Sequence, residues 1–318
     1  MLLNKKITTP CHLRQLFINH DGDIFPCCRK WGDQKSKIGN IDELDIYNKI
    51  ATYDYQCECD GYKLTKAGIG TLHFETINIE FSLACNGKCA MCCVHAPDSD
   101  GKYSHYETLR KFIDITKPNK LSVQGGEVLY QKKTLKWLWD VKNKNPDMKF
   151  HVISNGCFNN DILLLAEYLF ETMTISIVGF EDHTYKTIMG LELRKTKAFA
   201  EELLSRKKIK LSLKYLCTPL NLHQSALFYE WAVLISPNSI QIVDANINSY
   251  IRLDTFDSYW NKIFERAGSD LKAKMILYNK MVSDKDIKIS LCKGIRNLLD
   301  ISDNYISANS LANINFWY

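Results

Sequence analysis

TINIEF (76–81) runs almost directly into CNGKCAMCC (85–93), and the pair decides how this chain is read. The first stretch alternates apolar and polar residues, the pattern of a strand with one buried face. The second puts four cysteines into nine positions. A loop leaving the carboxyl end of a strand is where α/β folds build their binding sites. Thiols this dense are seldom packing residues, because thiolates select zinc or iron–sulfur clusters.

Outward from this stretch the chain keeps one rhythm. HYETLRKFIDI (105–115), TLKWLWDVKN (134–143), DILLLAEYLF (161–170), KTKAFAEELLSR (195–206) and HQSALFYEWAVL (223–234) have helical periodicity. Between and after them, KLSVQ (120–124), KFHVI (149–153), TISIV (174–178), IKLSLKYL (209–216) and SIQIV (239–243) read as strands. Six strands alternating with helices predict an α/β fold with a parallel sheet, either an open doubly wound sheet or a partial (β/α)6 barrel. In both, the Cys loop, Gly125-Gly126-Glu127, Ser154-Asn155-Gly156 and Gly179 each follow a strand and gather at one end.

The flanks differ. Residues 1–70 hold the turn-rich NHDGDIFPCCRKWGDQ and one helix candidate, IDELDIYNKIATY (41–53), too little for an independent core without a staple. Residues 249–318 begin as a helix, SYWNKIFERAGSDLKAKMILYNKMV, and then lose clear periodicity. Three segments are therefore expected: a small N-terminal module (1–70), the α/β body (71–248) and a mostly helical C-terminal extension (249–318).

Composition narrows the function. Hydrophobic residues make up 46% and charged residues 24% of the 318, an ordinary globular balance. A net charge of +5 from scattered lysines argues for a solvated surface over a nucleic-acid groove. The start, MLLNKKITTP, lacks the apolar run of a signal peptide, and ILLLAEYLF is too short and too charged to span a bilayer. A cytoplasmic, non-membrane protein is the expectation. In a reducing compartment, twelve cysteines point to metal or redox use, and nine of them fall in the first 93 residues.

Cys85, Cys89 and Cys92 have the spacing Cys-x3-Cys-x2-Cys. A zinc knuckle completed by Cys93 or His95 is one reading, since structural zinc takes four closed ligands. The 3-then-2 spacing better suits one loop curled over a cubane, holding three irons and leaving the fourth open. Cys93 is then a small packed thiol beside the cluster. Cys157 and Cys217 end strands on the same side; buried thiols are the default reading, and a hydrogen donor or substrate ligand is the alternative. His95, His151, His183 and His223 form no ligand pattern.

On these residues the chain resembles the radical S-adenosylmethionine (radical SAM) superfamily across roughly 75–245. Its hallmark is a CxxxCxxC loop after the first strand of a partial (βα)6 barrel. The resemblance implies that Cys85, Cys89 and Cys92 hold a 4Fe–4S cluster. It implies that Gly125, Gly126 and Glu127 contact the methionine ammonium, and that Ser154, Asn155 and Ser176 lie at the cofactor. SIVGFEDHTYKTIMG (176–190) resembles the family segment after the fourth strand, with Val178 in place of Asp and Met189 in place of Arg. Met91 fills a position commonly aromatic. The implied chemistry is reductive cleavage of S-adenosylmethionine to a 5′-deoxyadenosyl radical that abstracts hydrogen from a substrate, with a flavodoxin- or ferredoxin-type reductant.

The N-terminal Cys11, Gly22 and Cys27, followed by CEC at 57–59, resemble the opening half of SPASM and twitch modules. This implies a second, auxiliary 4Fe–4S cluster on Cys11, Cys27, Cys57 and Cys59, with Cys28 as an alternative ligand; a zinc site from the same four competes. Such modules usually follow the barrel, whereas this one precedes it. A peptide or protein substrate is the leading expectation. A small sugar or nucleoside metabolite, a non-catalytic iron–sulfur electron carrier or redox sensor, and tRNA modification are the alternatives.

Overall fold

A computed structural model of the protein describes residues 14–27, 30, 33–53, 72, 74–92, 94, 96, 102–244, 258–291, 295, 299 and 314–316, with only the backbone of 244, 258–264 and 314–316. The chain forms two compact units, 1–85 with 98–152, and 86–97 with 153–318.

In the first unit, β1 (Gln15–Ile18), β2 (Asp23–Phe25) and β3 (Gly39–Asn40) precede α1 (Ile46–Thr52) and β4 (Thr76–Glu80). Then come α2 (Tyr106–Thr116), β5 (Lys120–Gln124), α3 (Lys132–Lys144) and β6 (Lys149–Ser154), whose last two residues belong to the second unit. The strand order is β6-β5-β4-β1-β2-β3. β4, β5 and β6 run parallel, with Ile77 beside Leu121 and Leu121 beside Phe150. β1 joins β4 in parallel, and β2 and β3 add antiparallel strands.

The N-terminal residues thus contribute strands beside the one helix candidate of the sequence. Leu16, Phe17 and Ile18 are all buried, so β1 is covered on both faces and shows no alternation. Gly22, at φ +79°, makes the turn between β1 and β2, donating to the Asn19 carbonyl. Helix α2 buries Leu109, Phe112 and Ile113, the three- and four-residue spacing of an amphipathic face. Phe112 stacks between Tyr47 of α1 and Phe74.

The second unit contains α4 (Leu163–Leu169), β7 (Thr172–Ile177), α5 (Asp182–Met189), α6 (Leu193–Arg206), β8 (Lys210–Cys217), α7 (Ser225–Ile235), β9 (Ser239–Asp244), α8 (Ser258–Asp284), β10 (Lys288–Leu291) and β11 (Ile314–Phe316). Its five strands are parallel in sequence order, with Ile175, Leu213, Ile240 and Ile289 aligned across β7 to β10. Two strands follow SIQIV, so that segment is not the last of the sheet. The extension is a 27-residue helix followed by strands that carry the sheet on. Ile289, Ser290 and Leu291 are all buried, so the end of β10 is covered on both faces. α8 packs on α7, where Glu230 accepts from Lys274 Nζ (2.8 Å) and Tyr278 Oη (2.6 Å). Among the described residues no helix is long and apolar enough to cross a membrane.

Candidate functional site

In the first unit the site begins where the β4–β5 ladder stops. Phe81 N–H donates to Gln124 O at 2.9 Å, and beyond this bond the two chains part. One continues through Ser82, Leu83 and Ala84 to Cys85. The other turns through Gly125 (φ +101°) and Gly126 (φ +43°), a left-handed region that disfavours side chains. A Cβ on Gly126 would meet Ala84 O and lie 2.5 Å from the Leu83 carbonyl carbon and oxygen. Glycine is required here because backbone packs on backbone.

Glu127 N–H donates to Ala84 O (2.9 Å), and the Glu127 carboxylate, 1% exposed, accepts from Leu129 N–H (3.1 Å). It caps the short 3-10 turn Val128–Tyr130. Beside the turn, the buried Glu80 carboxylate lies 2.6 Å from His20 Nδ1. That hydrogen bond raises the His20 imidazole above its usual range; burial opposes the shift, and the charges of Glu80, Asp21 and Asp23 reinforce it.

In the second unit, the loop 86–92 is docked through its backbone. Lys88 N–H donates to Met189 O and Ala90 N–H to Ile188 O, both at 2.8 Å. Gly190 ends α5 in the left-handed conformation, donating to Lys186 O, and a Cβ there would lie 3.2 Å from Lys88 Cβ. Cys92 N–H donates to Cys89 O (3.0 Å), and the Cys92 Sγ accepts from Ala96 N–H at 3.4 Å. Val178 and Met189, at the two positions that depart from the family segment, are 1% and 2% exposed. Met189 serves the loop through its carbonyl, which any side chain would supply.

The loop after β6 closes a ring of side-chain bonds with Asn86. Asn155 Oδ1 accepts from Cys157 N–H (2.8 Å), and Asn155 Nδ2 donates to Asn86 Oδ1 (2.7 Å). Asn86 Nδ2 donates to Cys157 O (3.3 Å). Asn155 therefore holds the start of the cysteine loop. Ser154 Oγ accepts from Gly156 N–H (3.0 Å) and shapes the same turn. Ser176 is half-buried on β7 beside Lys214. The loop after β7 is fixed by Gln224, whose Oε1 accepts from Phe180 N–H (2.6 Å) and whose Nε2 donates to Thr184 Oγ1 (2.8 Å).

Cys85 belongs to the first unit, Cys89 and Cys92 to the second; all three are half-buried. Cys27 is buried, two residues beyond β2. Cys11, Cys57 and Cys59, with Cys28, Cys93, His95 and Cys292, lie outside the described residues. Among the described residues no three His, Cys, Asp or Glu side chains stand close enough to hold a metal ion. Asn86, Gln131 and His20 contribute to the geometry and carry no sequence signal of their own; each acts through a partner distant in the chain.

Comparison with known proteins gives two findings. Residues 11–63 match the SPASM family model, described as an iron–sulfur cluster-binding domain. The fold resembles Streptococcus suis SuiB bound to S-adenosylmethionine, at a TM-score of 0.51 and 12% identity, over 70% of this chain and 52% of that one. SuiB bound to its precursor peptide SuiA aligns at a TM-score of 0.53 and 11% identity, over 74% and 54%. anSMEcpe with bound AdoMet and the Cp18Cys peptide aligns at 0.50 and 16%, over 67% and 62%. The chain thus spans about half the length of SuiB. No curated protein sequence matches it significantly. The chain therefore shares the α/β fold of these proteins over about two thirds of its length or more, and its residues 11–63 are similar to the SPASM domain.

Proposed function

We propose that this chain is a radical SAM enzyme that acts on a peptide or protein. The observation that carries the reading is the glycine-built cradle at the start of the Cys-x3-Cys-x2-Cys loop in the first unit, with a second close glycine contact inside the second unit. Gly126 packs on the backbone that leads to Cys85, and Gly190 packs on Lys88 beside Cys89.

The residues suit the group. Cys85, Cys89 and Cys92 are soft donors with partial exposure, and the spacing leaves an iron open. These three would hold a 4Fe–4S cluster, which when bound and reduced supplies the electron for cleavage of S-adenosylmethionine. The chain's own part is placement. Gly125 and Gly126 let backbone approach the methionine end of the cofactor, and Glu127, capping its own turn, keeps that backbone in shape. Ser154 and Asn155 hold the next loop, and Asn155 acts on the cysteine loop through Asn86. Ser176 stands for the ribose or methionine side. Cys11, Cys27, Cys57 and Cys59 are proposed to hold an auxiliary cluster within the SPASM-matching segment. A peptide substrate is favoured by the relatives whose structures contain one, SuiB with SuiA and anSMEcpe with Cp18Cys.

The test is 5′-deoxyadenosine formation by the anaerobically reconstituted, dithionite-reduced protein. Production by the wild type and its loss in Cys85→Ala, Cys89→Ala and Cys92→Ala is expected. Production undiminished in any one of these variants would overturn the ligand assignment.

A further inference from the structure

We propose that Gln131 is a positioning residue that fixes the Cys85-bearing chain against the Gly125–Glu127 turn. The proposal rests on the reading of those segments as cluster ligand and cofactor contact.

Gln131 ends the sequence GGEVLYQ (125–131) and is 7% exposed. Its Nε2 donates to three backbone carbonyls: Ser82 (2.7 Å), Ala84 (3.1 Å) and Gly125 (3.1 Å). Two of these lie on the stretch leading to Cys85 and the third in the glycine turn. An amide nitrogen has two hydrogens, so the short bond to Ser82 takes one and the other is shared. All three carbonyls lie beyond the last ladder bond between β4 and β5. A side chain from the start of α3 thus replaces the ladder where the strands have parted.

The orientation of the amide is fixed from the other side. Gln131 Oε1 accepts from Thr134 Oγ1 at 2.8 Å, and Thr134 Oγ1 lies 2.8 Å from Tyr106 Oη. Thr134 has one hydrogen and gives it to Gln131, so Tyr106 donates to Thr134. A flipped amide would turn its oxygen toward three carbonyl oxygens. Tyr106 is held in turn by Trp137 Nε1, which donates to the Tyr106 carbonyl (3.0 Å). A buried polar chain of this kind holds one geometry, because each alternative leaves a group unpaired.

The same carbonyl of Ala84 also accepts from Glu127 N–H. Residue 84 is therefore tied to the turn twice, once by backbone and once through Gln131. Losing Gln131 removes one of these two ties between the first cysteine's chain and the cofactor turn.

The experiment uses the full-length reconstituted protein and two variants of equal side-chain length, Gln131→Met and Gln131→Glu. Both are expected to retain iron and the cluster-type visible spectrum. S-Adenosylmethionine should bind roughly tenfold to hundredfold more weakly, the range seen when residues supporting a metal site are removed. The change that the cofactor produces in the reduced cluster's electron paramagnetic resonance spectrum should be reduced or lost. If wild type itself binds no cofactor, the parent reading fails. If wild type binds and both variants bind within about twofold of it, the role of Gln131 is refuted. A variant that folds but loses the cluster assigns Gln131 to cluster retention and also overturns the proposal. Should both variants fail to fold, Thr134→Val carries the test. It keeps shape and removes the hydroxyl that orients the amide and pairs with Tyr106 Oη, and wild-type binding by that variant refutes the proposal.

Discussion

Gly126→Ala is the sharpest probe of the strand-end cradle. The added Cβ would lie 2.5 Å from the carbonyl carbon and oxygen of Leu83, against 3.4 Å for ordinary contact, so the chains must separate by about 0.9 Å. The clashing atoms are backbone, so no side chain can rotate aside. At φ +43° the alanine also carries a left-handed backbone penalty of about 1–2 kcal/mol. Overpacking adds about 1–3 kcal/mol, for a total of about 2–5 kcal/mol. For a chain of this size that is a fall in melting temperature on the order of 3–7 °C. The separation moves the stretch leading to Cys85 away from the turn, and a shift near 1 Å costs roughly a hundredfold where reacting groups must be aligned. The assay pairs thermal unfolding with equilibrium binding of S-adenosylmethionine to the reconstituted protein. Gly190→Ala is the control: its nearest neighbour would be Lys88 Cβ at 3.2 Å, so about 1–2 kcal/mol of backbone cost is expected alone. A Gly126→Ala protein melting within about 1 °C of wild type, with unchanged binding, would refute the close backbone approach.

Three further outcomes are expected. His20 has a folded pKa raised by the Glu80 hydrogen bond, so its stabilisation is complete below about pH 6.5 and is lost as pH rises through the folded value. Denaturant titrations of wild type should show this decline and those of His20→Gln should not; parallel pH profiles would dismiss the pair. Asn86→Ala and Asn155→Ala each break the bond between the two side chains and should cost about 0.5–1.5 kcal/mol for that bond. A double-mutant cycle should give a coupling of about 0.5 kcal/mol or more, and strict additivity would show that the ring of bonds is incidental. The reconstituted wild type should hold roughly eight irons, four per cluster. The triple Cys85/Cys89/Cys92→Ala variant should keep about half of them, and an iron-free triple variant, or one zinc in residues 11–63, would reject the auxiliary cluster.

The body of the fold was legible because its strands and helices repeat their burial patterns locally. β4 buries Ile77 and Ile79 on alternate positions, and α6 buries Thr196, Phe199, Ala200 and Leu203 on one face. β1 was not legible, since QLFI has three consecutive buried residues and finds its parallel partner β4 about sixty residues away. β10 carries readable alternation in IKISL, but it follows a 27-residue helix, and its pairing with β9 is a tertiary fact. At the site, cysteines and glycines announce themselves by residue type. Gln131, Asn86 and His20 do not, because their partners at Ser82, Asn155 and Glu80 stand 49, 69 and 60 positions away.

What joins these unannounced residues is their chemistry. A parallel strand cannot end in a hairpin, so the chain beyond its last ladder bond leaves carbonyls and N–H groups without sheet partners. In this protein buried carboxamides take that place. Gln131 serves the turn after β5 and Asn155 the loop after β6. Gln224 serves the loop after β7. After β8, Asn221 Oδ1 accepts from Thr218 N–H while its Nδ2 donates to Leu216 O. A carboxamide offers donor and acceptor together and carries no charge, so it can be buried without a counter-ion. At the turn after β5 the neutral amide shares this work with a buried carboxylate, since Glu127 accepts from Leu129 N–H there.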